Sequence, residues 1–433
     1  MKQITRSNKQ PNLLLKLQEA FFSHRYFFAV FLYLLFYSYF VSGQMNAWTV
    51  DSAVQALYGL DFSFGFLSRI LPGAIYMFFF HKVESKTVAV YSAVLLILFF
   101  AILSLFCEKI LKKCSNKKEI TICVILLMLF LTGPFTFAVY VQGLGISEVY
   151  WLFCTVLFFF FLEHRALYPF IIPLCLIVLL FNYSAIICYI PFYCILILYK
   201  ISISNKTKDK TILYFVFALS AAASIILFLY FTSTLDTNVK YTLPEFEKKL
   251  SERGATDNEY ASVYFFTSFH KDLEFVPDSI DSPFWKNFSE KFPALWVFII
   301  PFFHMLREGF NVFYYLDLII LLAPILFFVL RFFIQCIKNK TNNKLRRFVY
   351  FCVPVLFFVT VIFSFLISID RLKWVSCAFI PLFSSILYLF YHEEKNSITE
   401  YLSRVFFTGS GKISPFVISF CIVYAFTIYG QYH

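Results

Sequence analysis

Three groups of polar residues interrupt an otherwise apolar chain with side-chain types used in acid–base or phosphate chemistry. The first is QMNAWTVDSAVQALYGLDFSFGFLSRILPG, which carries Asp51, Asp61 and Arg69. A carboxylate there can take a proton from a hydroxyl or bind a metal, and a guanidinium can hold a phosphate through paired hydrogen bonds. The plainer alternative is that Asp51 and Asp61 cap turns or helices. The second group, EFVPDSIDSPFW, sets Asp278, Asp281 and Trp285 beside prolines and aromatic rings, which suits a sugar: aromatic faces pack on its ring while carboxylates take its hydroxyls. It lies in a stretch, 235–311, with twelve acidic and eight basic residues, and such mixed charge is equally the mark of solvated cover. The third group is IDRLKW, where Asp370, Arg371, Lys373 and Trp374 fall between two apolar runs. Its cations suit a lipid phosphate, or else an interfacial anchor with Trp374 in the aromatic belt.

These groups must be carried by elements that do not live in water. The 433 residues are 60% hydrophobic and 15% charged, with 62 Phe and 28 Tyr, against about 25% charge in a soluble domain. Several apolar runs reach the ~20 residues a helix needs to cross ~30 Å of hydrocarbon. The net charge of +11 sits mostly in short segments between these runs, where it anchors topology and gives no reason to expect nucleic acid. The 11 cysteines fall mostly inside apolar runs, without CxxC or His/Cys ligand spacing, and read as small apolar fillers. Lys2, Arg6, Lys9 and Lys16 precede an apolar stretch from Tyr26 to Val41, longer than a signal-peptide core and expected to stay as the first transmembrane helix.

Charge placement orders the helices. The lysine-rich segments 108–119, 200–210 and 338–347 belong on the cytoplasmic side. That requirement forbids 66–80 to span, and with Arg69 and Pro72-Gly73 near its start it becomes an interfacial or re-entrant helix. The same requirement demotes 293–306, which Pro301 interrupts. The expected fold is an all-α, polytopic transmembrane bundle, a single integral domain over 1–433. It has about eleven spans (range ten to thirteen): 26–43, 88–107, 120–140, 149–162, 167–183, 185–199, 211–234, 312–335, 348–368, 374–391 and 413–430. A first outer loop over 44–87 and a large one over 235–311 carry interfacial helices, with the N-terminus cytoplasmic and the C-terminus outside.

Asn182, Gln142 and Asp317 are candidates for polar contacts within the bundle. No chain of intramembrane carboxylates stands out, which counts against a proton-coupled transporter. Glu163, His164 and Arg165 read as ordinary interfacial charges at a cytoplasmic turn. No Walker A, GxSxG, HExxH or dinucleotide fingerprint is present.

A first helix followed by an outer loop with acidic residues and an interfacial helix, then a second long outer loop after the seventh helix, resembles the GT-C superfamily of membrane glycosyltransferases. The similarity covers roughly 20–311. DFSFGFLSR followed by a small-residue helix, together with DRLKW, also resembles membrane proteins of bacterial surface-polysaccharide loci. The resemblance implies transfer of a sugar from a polyprenyl-phosphate donor to a glycan or lipid acceptor in the cell membrane. Asp51 would be the base with Asp61 second, Arg69, Arg371 and Lys373 would meet the donor phosphate, and Asp278, Asp281 and Trp285 would form a substrate loop. A divalent metal is compatible with such a site and is not demanded by it. The alternatives are a polysaccharide polymerase or ligase, and a flippase for lipid-linked oligosaccharide or another transporter.

Overall fold

The computed structural model describes residues 22–41, 50, 52–67, 69–132, 149–233, 240–255, 284, 287, 312–338, 343–367, 371–392, 395–415, 417–419 and 421. Among these the architecture is all-helical, with one isolated bridge between Phe407 and Ile413 and no strand. In chain order, α1 is Arg25–Phe36, continued by a π-helical turn over Tyr37–Val41. Next come α2 (Ser52–Gly59), α3 (Leu71–Phe79), α4 (Ser85–Lys112), α5 (Lys117–Thr132) and α6 (Val149–Glu163). A 3₁₀ turn over Arg165–Phe170 leads into α7 (Ile171–Phe181), followed by the short α8 (Ala185–Cys188), α9 (Ile190–Ile203), α10 (Thr207–Ser233) and α11 (Leu243–Glu252). The last four are α12 (Val312–Lys338), α13 (Lys344–Ile367), α14 (Arg371–His392) and α15 (Lys395–Phe406).

Among the described residues, five helical stretches are long and apolar enough to cross a membrane: Ser85–Lys112, Ala185–Ile203, Thr207–Phe231, Lys344–Ile362 and Val375–His392. Arg25–Tyr39, Val149–Glu163 and Arg165–Phe181 are shorter apolar helices. A helix that is apolar all round needs apolar surroundings on every side, from lipid or from other helices. Here α14 is the central case, buried without interruption from Val375 to Phe390, whereas α10 leaves Phe215, Ile225, Ile226 and Leu229 exposed along its length. One large apolar core runs through the bundle, with α14 packed on α13 and α5, α9 on α10 and α13, and α4 on α1 and α6. All eleven cysteines are free thiols, and seven of them are buried.

Local chemistry sets the breaks. Between α4 and α5, Glu119 accepts hydrogen bonds from the Ser115 amide and the Asn116 side chain, and Asn116 Oδ1 accepts from the Glu119 amide, a reciprocal cap on the start of α5. Between α7 and α8, Asn182 Oδ1 accepts from the amide and hydroxyl of Ser184. Asn182, a candidate for polar contacts within the bundle, is buried there and its carbonyl oxygen makes a local turn, because a short amide side chain reaches its own backbone two residues on. The 185–199 run falls within the span Ala185–Ile203, which is irregular at Tyr189 and has Pro191 in the first turn after it. The interfacial helix expected over 66–80 begins only at Leu71. Arg69 is held at φ 67°, in the left-handed region, and Pro72 fits the first helical turn.

The three lysine-rich segments meet at one end of the bundle. Lys113 donates to the carbonyl of Tyr391 at 3.1 Å, Lys200 pairs with Glu163 at 2.9 Å, and Asn343 donates to the Ser202 carbonyl at 3.0 Å. His24 and Lys112 both close on Glu108 at 3.0 Å, fixing the start of α1 beside the end of α4. The opposite end carries a small cap built from α2, α3 and α11.

Candidate functional site

The cap joins two stretches far apart in sequence. Its apolar core is Ala56, Leu57, Leu60, Phe64, Leu67 and Ile70 from the first stretch and Phe246, Leu250 and Ala255 from the second. Close backbone approach makes this possible: a Cβ on Gly73 would lie 1.9 Å from the Leu60 carbonyl oxygen, so α3 crosses the end of α2 where only glycine fits. The second stretch is set by a capping box, in which Thr242 and Glu245 satisfy each other at the start of α11. Its end is set by Gly254 at φ 83°.

Asp61 and Arg253 lock these stretches together. Asp61 Oδ1 accepts from the Ser63 amide at 2.9 Å and from the Ser63 hydroxyl, an Asx-type turn. Its other oxygen faces Arg253 Nη2 at 2.9 Å. The same guanidinium donates to the Gly59 carbonyl at 2.6 Å and to Ser63 Oγ at 3.0 Å, and it lies over the Phe64 ring at 5.0 Å. The Arg253 carbonyl takes the Val83 amide at 2.7 Å, and Gln55 Nε2 donates to the carbonyls of Val83 and Gly254. Burial opposes the Asp61 charge, but the Ser63 and Arg253 donors outweigh it and hold the carboxyl below its usual value. Asp61 is therefore an ionised, fully engaged group, suited to fixing a loop and poorly suited to taking a proton.

Three further contacts seat the cap on the bundle. Val50 exchanges backbone hydrogen bonds with Ser85 Oγ at 2.9 and 3.0 Å, Arg69 gives its amide to the Leu180 carbonyl at 3.0 Å, and Tyr58 meets Tyr150 hydroxyl to hydroxyl at 3.3 Å. Burial pushes the Tyr58 hydroxyl up to about 12, so it stays protonated.

The structure thus brings Asp61 and Arg69 into one cap. The expectations for Asp51, Asp278, Asp281 and Trp285 lie outside the described residues, although Asp51 falls between Val50 and the first residue of α2. Arg371 and Lys373 lie in the first turn of α14, and their side chains are outside the described residues. The 22 residues of α14 end at His392 on the lysine-rich end, so its first turn lies about 30 Å away along the axis, toward the cap end. Arg253 escaped sequence reasoning because it was one of eight cations in a charged loop. Among the described residues no three or more His, Cys, Asp or Glu side chains are placed to hold a metal ion.

Sequence reasoning also missed a second charged centre. Glu163 is not an ordinary interfacial charge. At the lysine-rich end its Oε1 receives Lys200 Nζ at 2.9 Å, the Tyr388 hydroxyl at 2.6 Å and His392 Nε2 at 2.8 Å. Its partners are donors from α9 and α14 that local sequence does not bring near it. Two residues after Glu163, Arg165 pairs with Asp209 at 2.7 Å. Comparison with protein-family models, with curated proteins and with solved structures finds no match for this chain.

Proposed function

We propose that this chain is a membrane glycosyltransferase that moves a sugar from a polyprenyl-phosphate donor to a glycan or lipid acceptor at the cap end. The observation that carries the reading is the cap itself. Two loops 192 residues apart close on one another through Asp61 and Arg253, directly above apolar helices. A lipid-borne sugar needs such a shelf, because its tail stays in hydrocarbon while its anomeric carbon must meet fixed polar groups. In this reading the bundle has about eleven spans. The lysine-rich end is cytoplasmic, the N-terminus is inside and the C-terminus outside, as the positive-inside rule favours.

The reaction assigns one role to each polar group. The acceptor hydroxyl oxygen attacks the anomeric carbon, its proton passes to Asp51, and the bond from that carbon to the phosphate oxygen breaks. The phosphate leaves on its lipid with the electron pair. Arg69, Arg371 and Lys373 stabilise the charge that grows on the departing phosphate. The first turn of α14 adds backbone N–H groups that have no partner within the helix to the two cations there. Asp61 positions the loop that carries Asp51, and Asp278, Asp281 and Trp285 meet the sugar.

Transfer from radiolabelled polyprenyl-phosphate sugars by the protein in lipid tests this. Asp51→Asn is expected to slow transfer about 100-fold or more, the scale of a lost general base. Unchanged transfer removes Asp51 as base, and a larger loss in Arg371→Ala than in Asp51→Ala favours a polymerase or ligase. A transporter reading draws support from the Glu163 centre, since polar groups packed among apolar helices often mark a transport path. It predicts no transfer from any donor, and lipid-linked sugar retained on the cytoplasmic leaflet when the protein is absent.

A further inference from the structure

The Glu163 centre has a design that static packing does not call for. Three donors converge on a single carboxylate oxygen, and the side chains of Glu163, Lys200 and His392 are only 18%, 14% and 14% exposed. Buried ion groups of this kind are commonly no more stabilising than apolar side chains of the same volume, and their best-attested use is to favour one arrangement over another. Two of the donors, Tyr388 and His392, belong to α14, and Phe159 of α6 stacks on Tyr388 at 5.0 Å.

The same helix is interrupted by a proline. Pro381 lies inside α14, where it has no N–H to give to the preceding turn. Ser385 Oγ donates to the Pro381 carbonyl at 2.6 Å, a back-bond that bends helices. Ser384 and Leu387, between Pro381 and the carboxylate, and Ile380, just before the proline, border an apolar crevice, whose facing walls include Phe99 of α4 and Leu152 and Phe159 of α6. Phe159 therefore touches both the crevice and the charged centre.

We propose that the segment of α14 from Pro381 to His392 is a lever, hinged at Pro381 and latched on Glu163, whose release opens this crevice at the lysine-rich end. The convergence on one oxygen makes release cooperative, because a single lost acceptor frees three donors at once. Movement is confined to one side of Pro381, where the backbone ladder of the helix is already interrupted. The inference is independent of the transferase reading.

Amide hydrogen exchange of the full chain in lipid nanodiscs tests it. Glu163→Gln is expected to speed exchange across 382–392 by about tenfold or more, the loss of hydrogen bonds to a charge, while 372–380 changes little. Adding Pro381→Ala is expected to abolish the step at the hinge. Tyr388→Phe, which removes one donor and keeps the ion pair, is expected to give a smaller acceleration with the same boundary, so the test survives if Glu163→Gln does not fold. Acceleration spread evenly along α14, or shared equally by α6 and α9, overturns the lever, as does unchanged exchange in both variants.

Discussion

The cap and the lysine-rich end each hold a carboxylate against a partly buried cation, yet they are built in opposite ways. Asp61 keeps a partner of its own in Ser63, two residues away, and Arg253 also bonds the Gly59 carbonyl. Each half of that pair is satisfied in part without the other. Glu163 has no such local partner for Oε1, which collects Lys200, Tyr388 and His392 from other helices. An ion pair added to a framework that is already formed behaves as a clasp, whereas one that supplies the only acceptor for several buried donors behaves as a keystone.

The largest expected effect follows from that contrast. Glu163→Ala leaves Lys200 without its carboxylate in a partly buried site and is expected to cost up to about 3–5 kcal/mol, the range for stranding a buried charge. Asp61→Ala leaves Arg253 with the Gly59 carbonyl and Ser63, and the expected cost is smaller, about 1–3 kcal/mol, the range for lost hydrogen bonds to a charged group. Unfolding of the two variants in the same lipid, by thermal or denaturant titration, checks the order. Equal losses would erase the distinction between clasp and keystone.

The contrast also explains what could be seen in the sequence. The helices were legible because apolar runs bounded by charge are a one-dimensional signal. The run expected over 88–107 is the core of Ser85–Lys112, and that over 211–234 matches Thr207–Ser233. Asp61 was visible as a polar residue in a loop, while Arg253, 192 residues later, was not. Glu163 was misjudged because its neighbours in sequence, His164 and Arg165, suggested an ordinary turn, whereas Tyr388 and His392 lie 225 and 229 residues away. One clue was present: 149–162 is without charge and Glu163 ends it, as His392 closes another apolar run. A charge that terminates each of two runs on the same predicted side is a reason to test them as partners.

The next effect sharpens the cap alone. The folded Asp61 carboxyl sits below its usual value because Ser63 and Arg253 outweigh its burial. A group depressed in this way stabilises the cap above its unfolded pKa, about 3.9 for Asp, and that contribution is lost as pH falls through the lower folded value. Limited proteolysis of the 240–255 stretch is therefore expected to stay slow at neutral pH and to accelerate below about pH 4. In Asp61→Asn the stretch is expected to be cut faster at neutral pH, with a flatter acid dependence. A variant as acid-sensitive as the wild type would mean that another carboxylate governs the cap.

The smallest effect separates backbone from side chain at Arg69. Its φ of 67° suits glycine, and a left-handed residue with a Cβ carries about 1–2 kcal/mol of strain. The amide of residue 69 still reaches the Leu180 carbonyl whatever the side chain. Arg69→Gly is thus expected to hold the cap at least as firmly as the wild type, by about 1 kcal/mol at most, while removing the guanidinium proposed for the donor phosphate. A cap that is as protected as before but transfers sugar more slowly would tie Arg69 to the ligand. A cap that loosens would instead make its side chain part of the clasp, since relief of backbone strain acts only in the opposite direction.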